Sequence, residues 1–318
     1  MTNSGTADAA AELEETPCPL CGTRPFRIYE TVLDRLSFKA SGTENQPREN
    51  AYSIVVCSSC GFLYLNPRPI PGNLFRFYLA ETYDPHRRRG GGIMGSLFRL
   101  ARRYTVRWKA VKATEDMKPG TLLDVGCGTG EFIAHMKDRG WNVLGLEIDK
   151  GAAEIAKSSG CSVIVGDPAK VALPEKAFDL ITLWHALEHL PDLNGAVSNV
   201  SAALKPGGRL AVALPNPGSF DARFYGSRWA AWDAPRHLYH FRPQDVEKLF
   251  SPKNFELMKC YALPLDPFYH SLLSETSWTT GMLNGLRALR GLLIGMISFF
   301  YGAKPERASS ILYLFRRM

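Results

Sequence analysis

Long apolar runs are missing from this chain. The longest, "GLLIGMISFFYG" at 291–302, has twelve residues, with Arg287 and Arg290 just before it, whereas a membrane-spanning helix needs about 20. No spanning helix is expected; an interfacial helix is the alternative, and it would bring a peripheral membrane contact. The N-terminal "MTNSGTADAAAELEETP" lacks the apolar core of a secretion signal, so residues 1–16 are expected to be a disordered tail and the chain cytoplasmic. In that setting, seven cysteines argue against a disulfide framework. A large charge of one sign is missing too: 38 Lys and Arg face 31 Asp and Glu, a formal net charge of +7. The excess is concentrated in "HRRRGGGIMGSLFRLARRYTVRWKAVK" (86–112). Such a stretch suits nucleic acid, an anionic membrane or a phosphorylated substrate, and the simpler reading is a solvated helix flanking the core. What is present is ordinary, 45% hydrophobic and 22% charged residues. In 318 residues that suffices for one large α/β domain with attachments.

Four of the cysteines are grouped in "CPLCG" (18–22) and "CSSCG" (57–61), separated by 35 residues. A two-residue gap lets both sulfurs of a pair face one ion, and the following Gly permits the tight turn beneath. Cys18, Cys21, Cys57 and Cys60 are therefore expected to hold one structural Zn2+. A single C-x-x-C would read as a redox pair; two of them, neither in a βαβ context, favour zinc. A closed four-thiolate site leaves no open coordination position, so this zinc would fold the module rather than catalyse. Cys127, Cys161 and Cys260 read as small buried residues.

"TLLDVGCGTGEF" (121–132) reads as a buried strand, a glycine turn and a helix start. Gly126, Gly128 and Gly130 let the backbone come close to a ligand at a helix N-terminus. Such a turn alone is a weak signal, since dinucleotide-binding folds use similar ones. Three acids sharpen it. Asp124 sits at the strand end, where a carboxylate can meet an ammonium group. Glu147 ends "WNVLGLEID" (141–149), where it can accept two ribose hydroxyls, and Asp167 ends "SVIVGD" (162–167), suited to an adenine amino group. Acids at successive strand ends describe a doubly wound parallel sheet with a ligand along its edge. The alternative makes Asp124 a turn-stabilising acid and Glu147 a surface residue.

In combination these motifs resemble the class I S-adenosylmethionine-dependent methyltransferases. "DVGCGTG" fits their first motif, "LEID" the second, "FDLITLWHALEHL" the fourth strand and "LKPGGRLAVALPN" (204–216) the run into the fifth. The resemblance covers about residues 117–262. It implies an α/β, Rossmann-like seven-stranded sheet, here with an N-terminal zinc-ribbon module and helical lid insertions. It also implies that Asp124, Gly126, Gly128 and Gly130 hold the methionine part of S-adenosylmethionine, Glu147 the ribose and Asp167 the adenine. "FRPQDVEKLFSPKNFELMKCYAL" (241–263) would add a capped helix and sixth strand, and "SSILYLFRRM" (309–318) a final antiparallel strand. Residues 264–308 then form a helical insertion over the substrate side or at a homodimer contact. The expected division is a tail at 1–16, a zinc-binding module at 17–70, a basic helical cap at 71–116 and a methyltransferase domain at 117–318.

"FDLITLW" (178–184) fills the centre of such a sheet, so "HALEH" (185–189) begins at its carboxyl end, where chemistry gathers. Methyl transfer to a hydroxyl or carbon acid needs a nearby base, and histidine titrates near neutrality. His189 and His185 are candidate bases, with Glu188 orienting a histidine. The alternative is a helix-entry turn in which Glu188 bonds backbone amides. A second cluster, "YGSRWAAWDAPRHLYHF" (225–241), follows the fifth strand. His237 is a further candidate base, Arg236 a clamp for phosphate or carboxylate, and Trp232 and Tyr239 candidate substrate contacts. Its alternative is an aromatic plug with Asp233 and Arg236 paired internally.

The D-x-P-R-H-L pattern looks like zinc-bearing bacterial small-molecule methyltransferases, including those that modify sugars or polysaccharide precursors. The nucleotide-sugar C-methyltransferases among them carry a third, C-terminal domain, for which no counterpart is expected within these 318 residues. O-methylation of a sugar, lipid-linked glycan or aromatic natural product therefore stands beside carbon as the expected reaction. Two competing readings are an RNA base methyltransferase and a catalytically silent donor-binding module. Against the first, the second knuckle is C-x-x-C rather than a Cys/His pair, and "WHALEH" replaces an N/D-P-P-[YF] tetrad. Nucleic acid is therefore not the expected partner. Against the second stand the intact glycine turn and all three acids.

Overall fold

The computed structural model describes residues 12–36, 51–78, 92–276 and 283–318. A small antiparallel sheet comes first, β1 (Phe26–Leu33), β2 (Ala51–Cys57) and β3 (Leu63–Leu65). The basic helix α1 (Gly92–Ala113) leads into β4 (Thr121–Val125) and α2 (Glu131–Asp138). Next come β5 (Asn142–Glu147), α3 (Lys150–Ser158), β6 (Val163–Val165) and β7 (Phe178–Trp184). Beyond these lie α4 (Leu193–Ala203), β8 (Leu204–Pro215), α5 (Phe220–Tyr225) and β9 (Tyr239–His240). The chain closes with α6 (Pro243–Phe250), β10 (Phe255–Ala262), α7 (Asp266–Thr276), α8 (Leu283–Tyr301) and β11 (Ser310–Arg317).

The seven-stranded sheet has the order β10-β11-β8-β7-β4-β5-β6. Neighbours from β8 to β6 pair in parallel, and β11 runs antiparallel to both β8 and β10. This is the expected Rossmann-like sheet, with its final antiparallel strand where the sequence put it. The central strands are nearly continuous apolar runs because both faces are covered. Side chains alternate between two cores. Leu123, Val125, Ile181, Leu183 and Val212 enter one, while Leu122, Leu180, Ala211 and Ala213 enter the other, packed with Ala110 of α1 and Phe132, Ile133 and Met136 of α2. Each fully buried Leu or Val contributes about 1.5–3 kcal/mol.

The first core does not stop at the expected module boundary. Ile54, Val55, Phe62 and Leu63 of the N-terminal sheet belong to the same cluster as Leu123 and Ile181. Moreover, β9, from the segment after β8, pairs antiparallel with β3, Tyr239 opposite Tyr64 and His240 opposite Leu63. The division at residues 17–70 and 117–318 is thus corrected: the small sheet, ordered β9-β3-β2-β1, is completed from the other segment. An edge strand left unpaired beside a buried core would strand its N–H and C=O groups.

The expected tail is also shorter than 1–16. Leu13 and Glu14 pair with Pro69 and Arg68, and the Thr16 amide donates to Asn66 Oδ1 at 2.9 Å; residues 1–11 lie outside the described residues. The 264–308 insertion is helical, α7 packed along α8, its residues 277–282 lying outside the description. Among the described residues no helix is long and apolar enough to cross a membrane.

Candidate functional site

Parallel register brings Asp124 opposite Thr182 of β7 and Gly145 of β5. The Thr182 hydroxyl donates to Asp124 Oδ1 at 2.6 Å, and Asp124 is only 2% exposed. Burial pushes its carboxyl up to about 7, although the Thr182 bond and nearby Lys109 pull the other way. The turn after β4 is left-handed at Gly126, Gly128 and Gly130 (φ 73°, 54° and 82°). A Cβ on Gly126 would stand 2.8 Å from the Ala186 Cβ, and one on Gly130 2.7 Å from the Ala156 Cβ. Ala186 and Ala156 thus hold these two positions to glycine, and the bare backbone of the turn forms a cradle.

Glu147 closes the cradle, accepting from the Gly128 amide at 2.8 Å and the Asp149 amide at 2.9 Å. Each carboxylate oxygen keeps a further lone pair for a ligand hydroxyl. Asp167 accepts from the Ala169 amide at 2.9 Å and stands 3.5 Å from Lys170 Nζ. The three acids thus stand at the carboxyl ends of β4, β5 and β6, and the residues present fit an adenosyl ligand carrying an ammonium group.

At the tip of β7, His185 takes a left-handed backbone (φ 54°), a conformation that costs a non-glycine residue free energy and clusters at functional sites. Its Nε2 lies 3.0 Å from Asp266 Oδ2 at the start of α7, and its Nδ1 3.4 Å from Glu188 Oε1. Burial opposes a charge here, yet contact with Asp266 and Glu188 wins and raises His185 to about 9. Both ring nitrogens face carboxylates that favour the charged ring, so His185 is held between Asp266 and Glu188. Glu188 is 1% exposed; burial would raise its carboxyl, but His185 draws it down to about 2. Burial and the neighbouring His237 lower His189 to about 4, and burial lowers His237. Two neutral imidazoles and a carboxylate therefore share this spot, the rings of His189 and His237 being 4.5 Å apart.

The 225–241 loop is an aromatic plug. Trp229 and Trp232 meet edge to face at 5.3 Å, Trp232 packs on His240 at 4.8 Å, and Trp229 Nε1 donates to the buried Asp221 at 2.8 Å. Arg236 is 1% exposed and donates to Asp34 at 2.7 Å and to Asp233 at 3.0 Å. Those carboxylates outweigh burial, raising its pKa further and holding Asp233 well below the usual carboxylate range. The expected substrate clamp is corrected on this point: the guanidinium locks β1 to the plug. Tyr239 is likewise occupied, its hydroxyl donating to the Pro191 carbonyl at 3.1 Å and accepting from Arg68 at 3.0 Å.

Sequence reasoning missed four groups at this edge. Lys109 of α1 stands 4.9 Å over the Trp184 ring, its ammonium pKa lowered by burial. Trp184 itself has no hydrogen-bond partner for its indole N–H among the described residues. Asp266 anchors His185, and the Tyr78 hydroxyl meets His189 Nδ1 at 3.0 Å. Only Trp184, as the last residue of a recognised strand, carried a usable signal. A groove of about 690 Å3 between α1 and α2 is lined by Arg99, Arg103 and Arg107, with Arg102 paired to Glu131.

The four N-terminal sulfurs converge on one point, all within 4.8 Å of one another. Cys18 and Cys60 are 3.6 Å apart, as are Cys21 and Cys57, too far for disulfides. Tetrahedral thiolates at about 2.3 Å from one ion stand about 3.8 Å apart, so the donor set and spacing fit zinc. Left-handed Gly22 and Gly61 (φ 75° and 79°) turn the chain beneath each pair.

A family model described as a methyltransferase domain matches residues 98–259, just over half of the chain. The malonyl-[acyl-carrier protein] O-methyltransferase of Yersinia pestis is 30% identical over 124 residues, 38% of this chain and 46% of that protein. The ubiquinone biosynthesis O-methyltransferase of Xanthomonas oryzae pv. oryzae is 29% identical over 146 residues, 43% of this chain and 61% of its own length. The chain thus spans about half the length of the curated relatives it matches. Among solved structures, geranyl diphosphate C-methyltransferase of Streptomyces coelicolor, bound to Mg2+, geranyl diphosphate and S-adenosyl-L-homocysteine, aligns with a TM-score of 0.51 at 16% identity, covering 74% of this chain and 86% of that one. A Haloferax volcanii methyltransferase in complex with the Trm112 activator aligns at 0.52 with 14% identity, covering 70% and 92%. At these identities the likeness is one of fold.

Proposed function

The chain belongs to the class I S-adenosylmethionine-dependent methyltransferases, and on that premise we propose that it methylates a small molecule at a hydroxyl or acidic carbon. The acceptor class is a sugar, a glycan precursor or a natural product. The observation that carries this reading is the cluster of Glu188, His189 and His237 at the tip of β7, beside the glycine cradle. When bound, S-adenosylmethionine supplies a methyl carbon on a sulfonium, open to in-line displacement by an electron-rich acceptor.

Asp124 faces the ammonium of the donor, and the Gly126–Gly130 turn admits its backbone-sized parts without clash. Glu147 takes the ribose hydroxyls on its remaining lone pairs, and Asp167 the adenine amino group. Trp184 and Lys109 bound the space between donor and acceptor. On the acceptor side, His185 holds Glu188 in place as an ion, and the neutral imidazole of His189 takes the acceptor's proton as the new bond to carbon forms. Trp232, packed on His240, belongs to the acceptor wall.

Supporting a lipid-linked or phosphorylated acceptor are the exposed apolar side chains of α8, among them Leu286, Leu289 and Phe300, and the arginines of the α1 groove. The same face of α8 supports a peripheral membrane contact or a homodimer of this otherwise cytoplasmic chain. Zinc on Cys18, Cys21, Cys57 and Cys60 would serve folding alone.

Calorimetric titration with S-adenosylhomocysteine, combined with a methylation assay over sugar and phenol acceptors, tests the proposal. Asp124→Ala is expected to abolish donor binding. His189→Ala should retain it and slow turnover. A His189→Ala enzyme with normal turnover would remove His189 as the base, and a wild-type chain that ignores S-adenosylhomocysteine would remove the proposal.

A further inference from the structure

Glu188, His189 and His237 offer one ligand atom each within 4.8 Å of one another. Two further observations point to an ion at this spot. First, Glu188 is 1% exposed, and neither of its carboxylate oxygens has a hydrogen-bond partner among the described residues. His185 Nδ1 stands 3.4 Å from Oε1, an ion pair without hydrogen-bond geometry, and its Nε2 is taken by Asp266. His185 answers this carboxylate from one side only, by charge rather than by a hydrogen bond, and a buried carboxylate whose oxygens lack hydrogen bonds gains from a further cation. Second, both imidazoles are already oriented from behind. His237 Nδ1 lies 2.8 Å from the Ala231 carbonyl and His189 Nδ1 3.1 Å from the Arg236 carbonyl. A carbonyl only accepts, so the His237 contact requires the proton on Nδ1 and leaves its Nε2 lone pair bare. His189 Nδ1 also meets the Tyr78 hydroxyl at 3.0 Å, and a proton directed from Nδ1 to the Arg236 carbonyl leaves its Nε2 bare as well. Backbone carbonyls behind the far ring nitrogen are how metal-bound histidines are fixed.

We propose that Glu188, His189 and His237 hold a divalent first-row cation, distinct from the ion of the four cysteines. Two imidazoles and one carboxylate leave coordination positions open. Bonds of about 2.1 Å space such ligands by about 3–4 Å, so modest side-chain rotation closes the observed cluster on an ion. The use of the ion rests on the methyl-transfer reading, whereas its binding does not. Bound at an open position, an acceptor hydroxyl gives up its proton to solvent more readily. Its oxygen pair then forms the bond to the methyl carbon as the carbon–sulfur pair returns to sulfur, yielding the thioether. In that case His189 serves as a ligand and the ion replaces it as the agent of deprotonation.

The test adds Co2+ to the full chain with zinc already on its cysteines. One equivalent should bind, with d–d absorption and no thiolate charge-transfer band, and with two hyperfine-shifted exchangeable imidazole protons in the proton NMR spectrum. Glu188→Gln and His237→Gln should each lose that uptake while melting cooperatively and binding S-adenosylhomocysteine. Absence of uptake by the wild-type chain, a thiolate band, missing imidazole signals, or undiminished uptake in the folded variants would each overturn the proposal. The NMR signals decide the matter even where a variant fails to fold, and the S-adenosylhomocysteine titration reports separately on the methyl-donor reading.

Discussion

His185 Nε2 stands 3.0 Å from Asp266 Oδ2, and through that contact the insertion at α7 is fastened to the carboxyl end of β7. His185 Nδ1 also stands 3.4 Å from Glu188 Oε1, so one imidazole joins the insertion to the buried carboxylate after β7. Asp266→Ala should lower stability by about 1–3 kcal/mol, since it removes a charged hydrogen-bond acceptor. Asp266→Asn, which keeps an acceptor oxygen, should cost less. Urea unfolding of the two variants measures the difference, and equal stability would show that the contact carries no weight.

The raised Asp124 carboxyl makes donor affinity depend on pH. Burial holds its carboxyl up at about 7 in the free protein, and an ammonium beside it favours the ionised form, so the complex should hold fewer protons than the free chain. Affinity for S-adenosylhomocysteine should therefore be flat above about pH 8 and fall towards tenfold per unit as pH drops below 7. Asp124→Asn should weaken binding by about ten- to a hundredfold and flatten this profile. Calorimetry across the range checks both.

Gly126 and Ala186 face each other so closely that Gly126→Ala should remove donor binding. The added Cβ would sit 2.8 Å from the Ala186 Cβ, at a backbone angle (φ 73°) that costs a non-glycine residue about 1–2 kcal/mol. Adding Ala186→Gly clears the collision and leaves only the backbone strain, so the double variant should recover part of the affinity.

Arg236→Met should destabilise the chain by about 1–3 kcal/mol, because it removes the guanidinium bonds to the buried Asp34 and Asp233 while Arg35, 2.9 Å from Asp233, still partly compensates. Chemical denaturation reads the loss. A substrate clamp would instead raise KM with stability unchanged.

Metal analysis should find zinc on the four cysteines, and Cys57→Ser should lower its content. Since β9 completes the same small sheet as β3, loss of that ion should lower the melting temperature of the whole chain in one transition. Two separate transitions in calorimetry would show that the module melts alone.

The sequence by itself determined the sheet, the glycine turn, the acids after β4, β5 and β6, and the two cysteine pairs. Those features are local: an apolar run, a turn residue or a two-residue spacing acts on its own neighbours, so the pattern is legible along the chain. Tertiary structure decided the rest. Asp34 and Arg236 are separated by 202 positions, and nothing in either neighbourhood announces that they neutralise each other. The same holds for Asp266 with His185, and for Lys109 over Trp184. Whether a histidine is a base, a fixed cation or a ligand depends on the burial and charge around it, and those come from segments that only folding brings together.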